Sequence, residues 1–70
     1  MDYSKLRGAI REKCGTQEAF ATAMNMSLSS LSKKLNGKSA WQDTEIFKAC
    51  SVLEIPICDV PLYFFAYVGA

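Results

Sequence analysis

The fold is decided by residues 16–38, TQEAFATAMNMSLSSLSKKLNGK, which carry two short helical patterns separated by a turn. Thr16 has the hydroxyl of a good N-cap, and the apolar residues that follow it recur at the spacing of one helix face. Asn25 tolerates the positive φ angle at which helices commonly end. These features predict a helix over residues 17–24 that is followed by a short turn.

The second pattern in this stretch begins at Ser27, which is another candidate N-cap. Three leucines then recur at intervals of one helix face and predict a buried stripe, and Asn36-Gly37 supplies a stop. The predicted helix therefore covers residues 28–36. Leu28, Leu31 and Leu35 form the stripe, and Ser29, Ser30, Lys33 and Asn36 point away from it.

The flanking segments add two longer amphipathic helices. One is predicted between a cap at Asp2 and a stop at Gly15, and the other begins at a cap at Asp43 and ends within residues 54–56. Their apolar faces are Tyr3, Leu6, Ile10 and Cys14 in the first, and Ile46, Phe47, Cys50 and Leu53 in the other.

The segment after Pro56 fits either a short helix or an aromatic strand. Asp59 is a candidate cap and Pro61 suits a first helical turn, so we favour the helix, followed by an extended tail. The chain is therefore predicted to be an all-α, compact five-helix domain over residues 1–70. Residues 61–68 hold more apolar surface than a small core can cover, which predicts a homodimer contact.

The composition limits the functions that are open to the chain. Half of its 70 residues are apolar, and 8 basic residues stand against 7 acidic ones, which is typical of one globular domain. The absence of histidine excludes histidine-based catalysis and histidine metal sites. The cysteines at positions 14, 50 and 58 lack the close spacing of zinc ligands and are interpreted as buried free thiols. We therefore expect no enzyme activity, no cofactor and no metal.

The sequence also predicts the compartment in which the chain works. The number of cysteines is odd, no basic and apolar leader follows Met1, and the longest apolar stretch, residues 60–68, is too short to span a bilayer. We expect a protein of a reducing cytoplasm that does not contact a membrane.

The charges are unevenly distributed. Residues 1–13 hold four basic and two acidic residues, residues 19–42 hold three lysines and no acid, and residues 43–70 hold one lysine and four acids. Such asymmetry suits a polyanion at one face of the molecule. Two short helices joined by a tight turn, the second with small and basic exposed side chains, also have the geometry that places a helix in the DNA major groove.

Several stretches of the chain match a known motif. They are residues 16–21, 26–27, 31–32 and 35–38, with residues 41–46 and 63–65 as a second set. The first set resembles the helix-turn-helix of phage Cro and CI-type repressors, which are XRE-like, and the second resembles a subgroup of small phage-encoded repressor-like proteins. The resemblance implies a lambda-repressor-like domain that regulates transcription from a phage or prophage as a homodimer on double-stranded operator DNA.

The resemblance also implies which residues contact DNA. In that family the glutamine that opens the first helix of the motif holds a phosphate, and the recognition helix, here residues 28–36, reads bases from its first turns. Lys33 falls at one of the reading positions and can donate to O6 and N7 of guanine. The implied DNA-binding residues are Gln17, Ser27, Leu28, Ser29, Ser32, Lys33, Asn36 and Lys38.

Two departures from the family pattern leave another function open. Leu28 fits the buried stripe as well as a base contact, and Ser29 is shorter than the polar side chains usual there, so direct base readout is sparse. The alternative is a protein-interaction module, antirepressor-like, that has the same fold and uses the Phe64-Phe65 tail as its adhesive surface.

Overall fold

The protein folds into α-helices joined by short turns, as the sequence predicts. The computed structural model describes residues 2–65, and no strand occurs in that range, so the helical alternative after Pro56 is confirmed. No helix of the described part is long and apolar enough to span a bilayer. The helices are α1 (Ser4–Cys14), α2 (Gln17–Ala23), α3 (Leu28–Leu35), α4 (Asp43–Leu53) and α5 (Val60–Phe64), with a 3-10 turn (Ile57–Asp59) before α5.

Side-chain caps fix where α2 and α3 begin. The Thr16 hydroxyl accepts a hydrogen bond from the Ala19 amide at 3.1 Å, and the Ser27 hydroxyl accepts one from the Ser30 amide at 3.1 Å. Each such cap contributes about 1 kcal/mol to stability. Both were predicted from the sequence. The N-cap of α1 is Tyr3 rather than the predicted Asp2, although the Asp2 carboxylate accepts a hydrogen bond from the Ser4 amide at 2.8 Å.

The start of α4 differs from the prediction by one residue. Gln42, not Asp43, is the N-cap, and Asp43 is the first residue inside the helix. The Glu45 carboxylate reaches back to accept the Gln42 amide at 2.9 Å. An acidic residue at the third helical position satisfies an amide that the helix itself leaves unbonded, which moves the boundary upstream.

Four helices end next to a residue in the left-handed region of backbone space; after α3 this residue is Gly37, with φ 75°. Gly15 follows α1 with φ 84°, and Asn25 follows α2 with φ 58°, as predicted. Glu54 ends α4 with φ 56° although it is neither glycine nor asparagine. This conformation costs about 1 kcal/mol, and it turns the chain so that Ile55 becomes buried and its amide bonds the Cys50 carbonyl at 2.9 Å.

The core is shared by all five helices. Helix α1 packs against α2, α4 and α5, and α2 packs against α3. The predicted stripes of α1 and α4 contribute to this core, as do two of the three leucines of α3. The largest fully buried side chains are Leu6, Ile10, Phe20, Leu31, Leu53 and Phe64.

Two residues predicted to be buried lie outside the core. Leu28 is 45% exposed because it is the first residue of α3 and extends past the layer that Leu31 and Leu35 reach. Phe47 is 58% exposed. It lies about 100° around α4 from Ile46, so the helix presents it at the edge of its buried side. The buried-stripe prediction was wrong for both residues.

Candidate functional site

The first candidate surface is the α2–α3 face, which we define by five exposed residues. It contains most of the residues that the helix-turn-helix resemblance implied for DNA. Among residues 2–65 their side chains form no hydrogen bond or ion pair, so they are available to a partner. The residues are Gln17, Leu28, Ser29, Lys33 and Lys38.

The other three residues implied for DNA bond within the protein. Ser27 caps α3, and the Asn36 amide donates to the Ser32 hydroxyl at 3.3 Å. Arg7 Nη2 donates to the Leu35 carbonyl at 2.8 Å and to Asn36 Oδ1 at 3.0 Å, so a cation of α1 closes the C-terminus of α3. These hydrogen bonds give Ser27, Ser32 and Asn36 a role in the fold that does not require DNA. The sequence did not predict this contact of Arg7, because Arg7 lies 29 residues from Asn36 along the chain.

Lys34, in the middle of the basic stretch, is buried. Its ammonium group donates to the Ala40 carbonyl at 3.0 Å and pairs with Glu45 Oε1 at 3.0 Å. It lies 5.9 Å from the centroid of the Trp41 ring. Burial raises the pKa of Glu45, but the Gln42 amide and the Lys34 ammonium outweigh this effect and hold the pKa below its ordinary value. The cluster ties α3, the following loop and α4 together.

The second candidate surface is the α4–α5 groove, which encloses about 290 Å³. One side comes from the first turns of α4 and the other from the 3-10 turn and α5. Phe47 and Ile57 are each 58% exposed and Phe65 is 49% exposed, although all three are large and apolar. Exposing large apolar side chains to water raises the free energy of the folded protein, and such exposure is characteristic of binding surfaces. The groove is lined by Asp43, Ile46, Phe47, Ile57, Val60 and Phe65.

The charge beside the groove is acidic. Asp43 lines it, and half-buried Asp59 lies in the chain between Ile57 and Val60. Neither carboxylate forms an ion pair with another described residue. The other two acidic residues among residues 43–65 form ion pairs. Glu45 pairs with Lys34, and Glu54 pairs with Lys13 at 3.2 Å.

The two aromatic residues of the predicted adhesive tail lie in different environments. Phe64 is 1% exposed and meets the Trp41 ring edge to face, with 5.1 Å between centroids. It is a core residue, so its predicted adhesive role was wrong. Phe65 is exposed and lines the groove. Residues 66–68 of the predicted homodimer contact lie outside the described residues.

The cysteines were predicted to be buried thiols, and this is correct for Cys50 alone. Burial raises the pKa of the Cys50 thiol and keeps it protonated. Cys14 is half-buried and Cys58 is exposed. Within residues 2–65, no three cysteine or acidic side chains lie close enough together to hold a metal ion.

These features define a small five-helix domain with two exposed faces of opposite charge. The chain belongs to the family described as "Protein of unknown function (DUF739)", which matches residues 1–67. It is also similar to the solution structure of the modulator of repression of the temperate bacteriophage TP901-1 from Lactococcus lactis. That similarity has a TM-score of 0.83 and 56% identity, and it covers 91% of this chain and 86% of the other. No curated protein matches the chain.

These comparisons correct the functional prediction. The chain was identified as a Cro or CI-type repressor that binds operator DNA as a homodimer, but the similar phage protein is a modulator of repression. The family assignment, the DNA-binding repressor function and the operator partner were therefore wrong. The phage connection is supported, and the protein-interaction alternative agrees better with the finding than the main prediction does.

The resemblance misled because its motif consists mainly of packing and capping positions. Thr16 and Ser27 cap helices, Ala21 and Leu31 are buried, and Asn25 supplies the turn. Any chain with this arrangement of helices needs such residues, whatever it binds. Two of the three positions that would read bases, Leu28 and Ser29, are those at which the sequence departs from the repressor pattern.

Proposed function

We propose that this protein modulates repression in a temperate phage by binding a protein, the phage repressor. The observation that carries the proposal is the 56% identity to the TP901-1 modulator of repression over 91% of this chain. At this level of identity the two proteins share their fold. The proposal involves no catalytic step and no cofactor.

The exposed surface supports a protein partner. Protein interfaces are enriched in aromatic and large aliphatic residues at their centre, with polar residues around them. The α4–α5 groove has this composition, because Phe47, Ile57 and Phe65 expose about half of their surface or more beside two carboxylates that form no ion pair with the described residues. A DNA surface would repel these carboxylates.

The proposed activity places the protein in the cytoplasm of the bacterial host, where a phage repressor is bound to its operators. Its three free cysteines are compatible with that reducing compartment.

The test is binding to a defined repressor. The purified chain is titrated into the TP901-1 repressor by isothermal calorimetry, with the TP901-1 modulator as the positive control and competitor. We expect a stoichiometric complex that the TP901-1 modulator displaces. In cells, co-expression with the repressor should change the output of a reporter under a repressor-controlled promoter. Absence of both effects, while the positive control binds, contradicts the proposed function.

A further inference from the structure

We propose that the α4–α5 groove is the docking site for the protein partner, and that it receives a segment with an apolar side chain flanked by lysine or arginine. This inference rests on the proposed function, since it names the surface and the chemistry by which that function is carried out.

The shape of the groove sets the size of what enters it. Its volume of about 290 Å³ lies at the lower limit of pockets that hold whole small molecules, which is about 300 Å³. A groove of this size suits one or two side chains of a larger partner. Three chain segments build its walls, so an entering side chain meets Phe47 of α4, Ile57 of the 3-10 turn and Phe65 after α5.

The groove lining identifies that side chain as apolar. Five of the six lining residues are aromatic or branched aliphatic, and among the described residues nothing covers Phe47 or Ile57. Burying these side chains against an apolar partner contributes about 25 cal/mol for each Å² removed from water. A polar side chain would lose its hydration without gaining hydrogen bonds.

The charge beside the groove identifies the flanking residues as cations. Asp43 and Asp59 have no ionic partner among the described residues, whereas the neighbouring Glu45 and Glu54 have one. Lys48 lies about 200° around α4 from Ile46 and does not line the groove. Two carboxylates without ionic partners, one lining the groove and one next to it in the chain, favour a partner segment with lysine or arginine beside its apolar anchor.

The α2–α3 face is a weaker candidate for the same role. Leu28 is the one apolar residue of its five, and the concave surfaces that Gln17 and Lys38 line, of about 600 and 350 Å³, include no residue of α3. Leu28 therefore provides a matched control, since it is exposed to nearly the same degree as Phe65.

A peptide selection tests the groove without depending on any particular repressor. A random-peptide library is selected on the full-length chain, and the affinities of enriched peptides are measured by fluorescence anisotropy. We expect peptides with an aromatic or aliphatic anchor next to lysine or arginine. Enrichment of acidic peptides, or no enrichment, overturns the proposal.

Variants then locate the binding site. Ile57→Ser should weaken peptide binding by about tenfold or more, whereas Leu28→Ser should leave it unchanged. The double change Asp43→Asn, Asp59→Asn should weaken binding several-fold at about 50 mM salt and have little effect at about 500 mM salt, where charges are screened. The matched change Glu12→Gln on exposed α1 should have no effect at either salt concentration. A loss with Leu28→Ser instead of Ile57→Ser overturns the proposal.

The same variants separate this inference from the proposed function. If the wild-type chain binds the TP901-1 repressor and Ile57→Ser binds it equally well, the groove proposal fails and the function stands. If the wild-type chain selects basic-apolar peptides in the groove but no repressor binds, the function fails. Dimerisation that Ile57→Ser abolishes, or nuclear Overhauser contacts between residues 66–70 and Phe47 in the free chain, would make this chain itself the occupant and overturn the proposal.

Discussion

The α2–α3 face and the α4–α5 groove both present unpaired charges, and they differ in the residues around those charges. Around α3, polar side chains bond to each other and to the backbone: Ser27 to Ser30, Asn36 to Ser32, and Arg7 to the end of the helix. The groove, in contrast, leaves apolar side chains in water and carboxylates without ionic partners. The α2–α3 face exposes one large apolar side chain, Leu28, whereas the groove exposes three: Phe47, Ile57 and Phe65.

The largest predicted effect separates the two aromatic residues that end α5. Phe64→Ala should destabilise the protein by about 3–5 kcal/mol, because Phe64 is fully buried against Trp41. Phe65→Ala should cost less than about 1 kcal/mol, because half of that side chain is already exposed. Urea denaturation followed by circular dichroism measures both. Equal losses would show that both phenylalanines belong to the core and would remove one wall of the groove.

The next prediction compares Glu45 and Glu54, which both form ion pairs. Glu45→Gln should destabilise the fold by about 1–3 kcal/mol at neutral pH, because it leaves the buried Lys34 ammonium without its charge partner. Glu54→Gln, which breaks the exposed pair with Lys13, should cost less than about 1 kcal/mol. Denaturation at pH 7 measures the difference. A larger cost for Glu54→Gln would contradict the burial of Lys34.

The pH dependence of stability follows from the same carboxylate. The pKa of Glu45 is lower in the folded protein than its ordinary value of 4.5, so its ionised form stabilises the fold at neutral pH. This contribution is lost as the pH falls below 4.5 and through the folded-state pKa. We expect the free energy of unfolding of Glu45→Gln to fall less steeply with acid than that of the wild type. Parallel curves would contradict the assignment.

A smaller effect is expected where α1 meets the end of α3. Arg7→Met should cost about 1–2 kcal/mol, because it removes charge-assisted hydrogen bonds to the Leu35 carbonyl and to Asn36. Arg11→Met on the same helix is the control, since Arg11 is exposed and forms no ion pair with the described residues. Denaturation measures both variants. A greater loss of stability with Arg11→Met than with Arg7→Met would contradict the hydrogen bond between Arg7 and Asn36. Asn36 would then be available to a partner.

The elements of this fold were predictable because each is defined within a few residues. The caps at Thr16 and Ser27 and the stops at Gly15 and Asn25 are local, and the structure places all four where they were expected. The helical spacing of apolar residues likewise gave most of the core. Such signals report how a helix begins, ends and faces its neighbours, which is what the backbone itself requires.

The candidate site was not predictable in the same way, because it depends on contacts between distant segments. Phe47 and Ile57 look like core residues in the sequence, and their exposure becomes apparent only once α4 and the 3-10 turn are placed together. The burial of Lys34 likewise depends on the loop that brings the Ala40 carbonyl to it. Charge counted along the chain did reveal the acidic second half, but not which carboxylates remain unpaired.

The last variant is expected to change neither stability nor repressor affinity appreciably, and it tests the comparison between the two surfaces directly. The double change Lys33→Ala, Lys38→Ala removes two exposed cations of the α2–α3 face that have no partner in the described part of the chain. It should leave stability within about 0.5 kcal/mol of the wild type.

Repressor affinity of the same double variant should stay within about twofold of the wild type, because a partner attracted by Asp43 and Asp59 gains nothing from lysines on another face. At low salt the removal of two like charges should tighten binding of a basic partner slightly, a change of the opposite sign to that of the Asp43→Asn, Asp59→Asn variant. Calorimetric titration at two salt concentrations measures both. A tenfold loss on removing the lysines would move the interface to α3, and the repressor-like motif would then mark the binding surface as well as the packing of the helices.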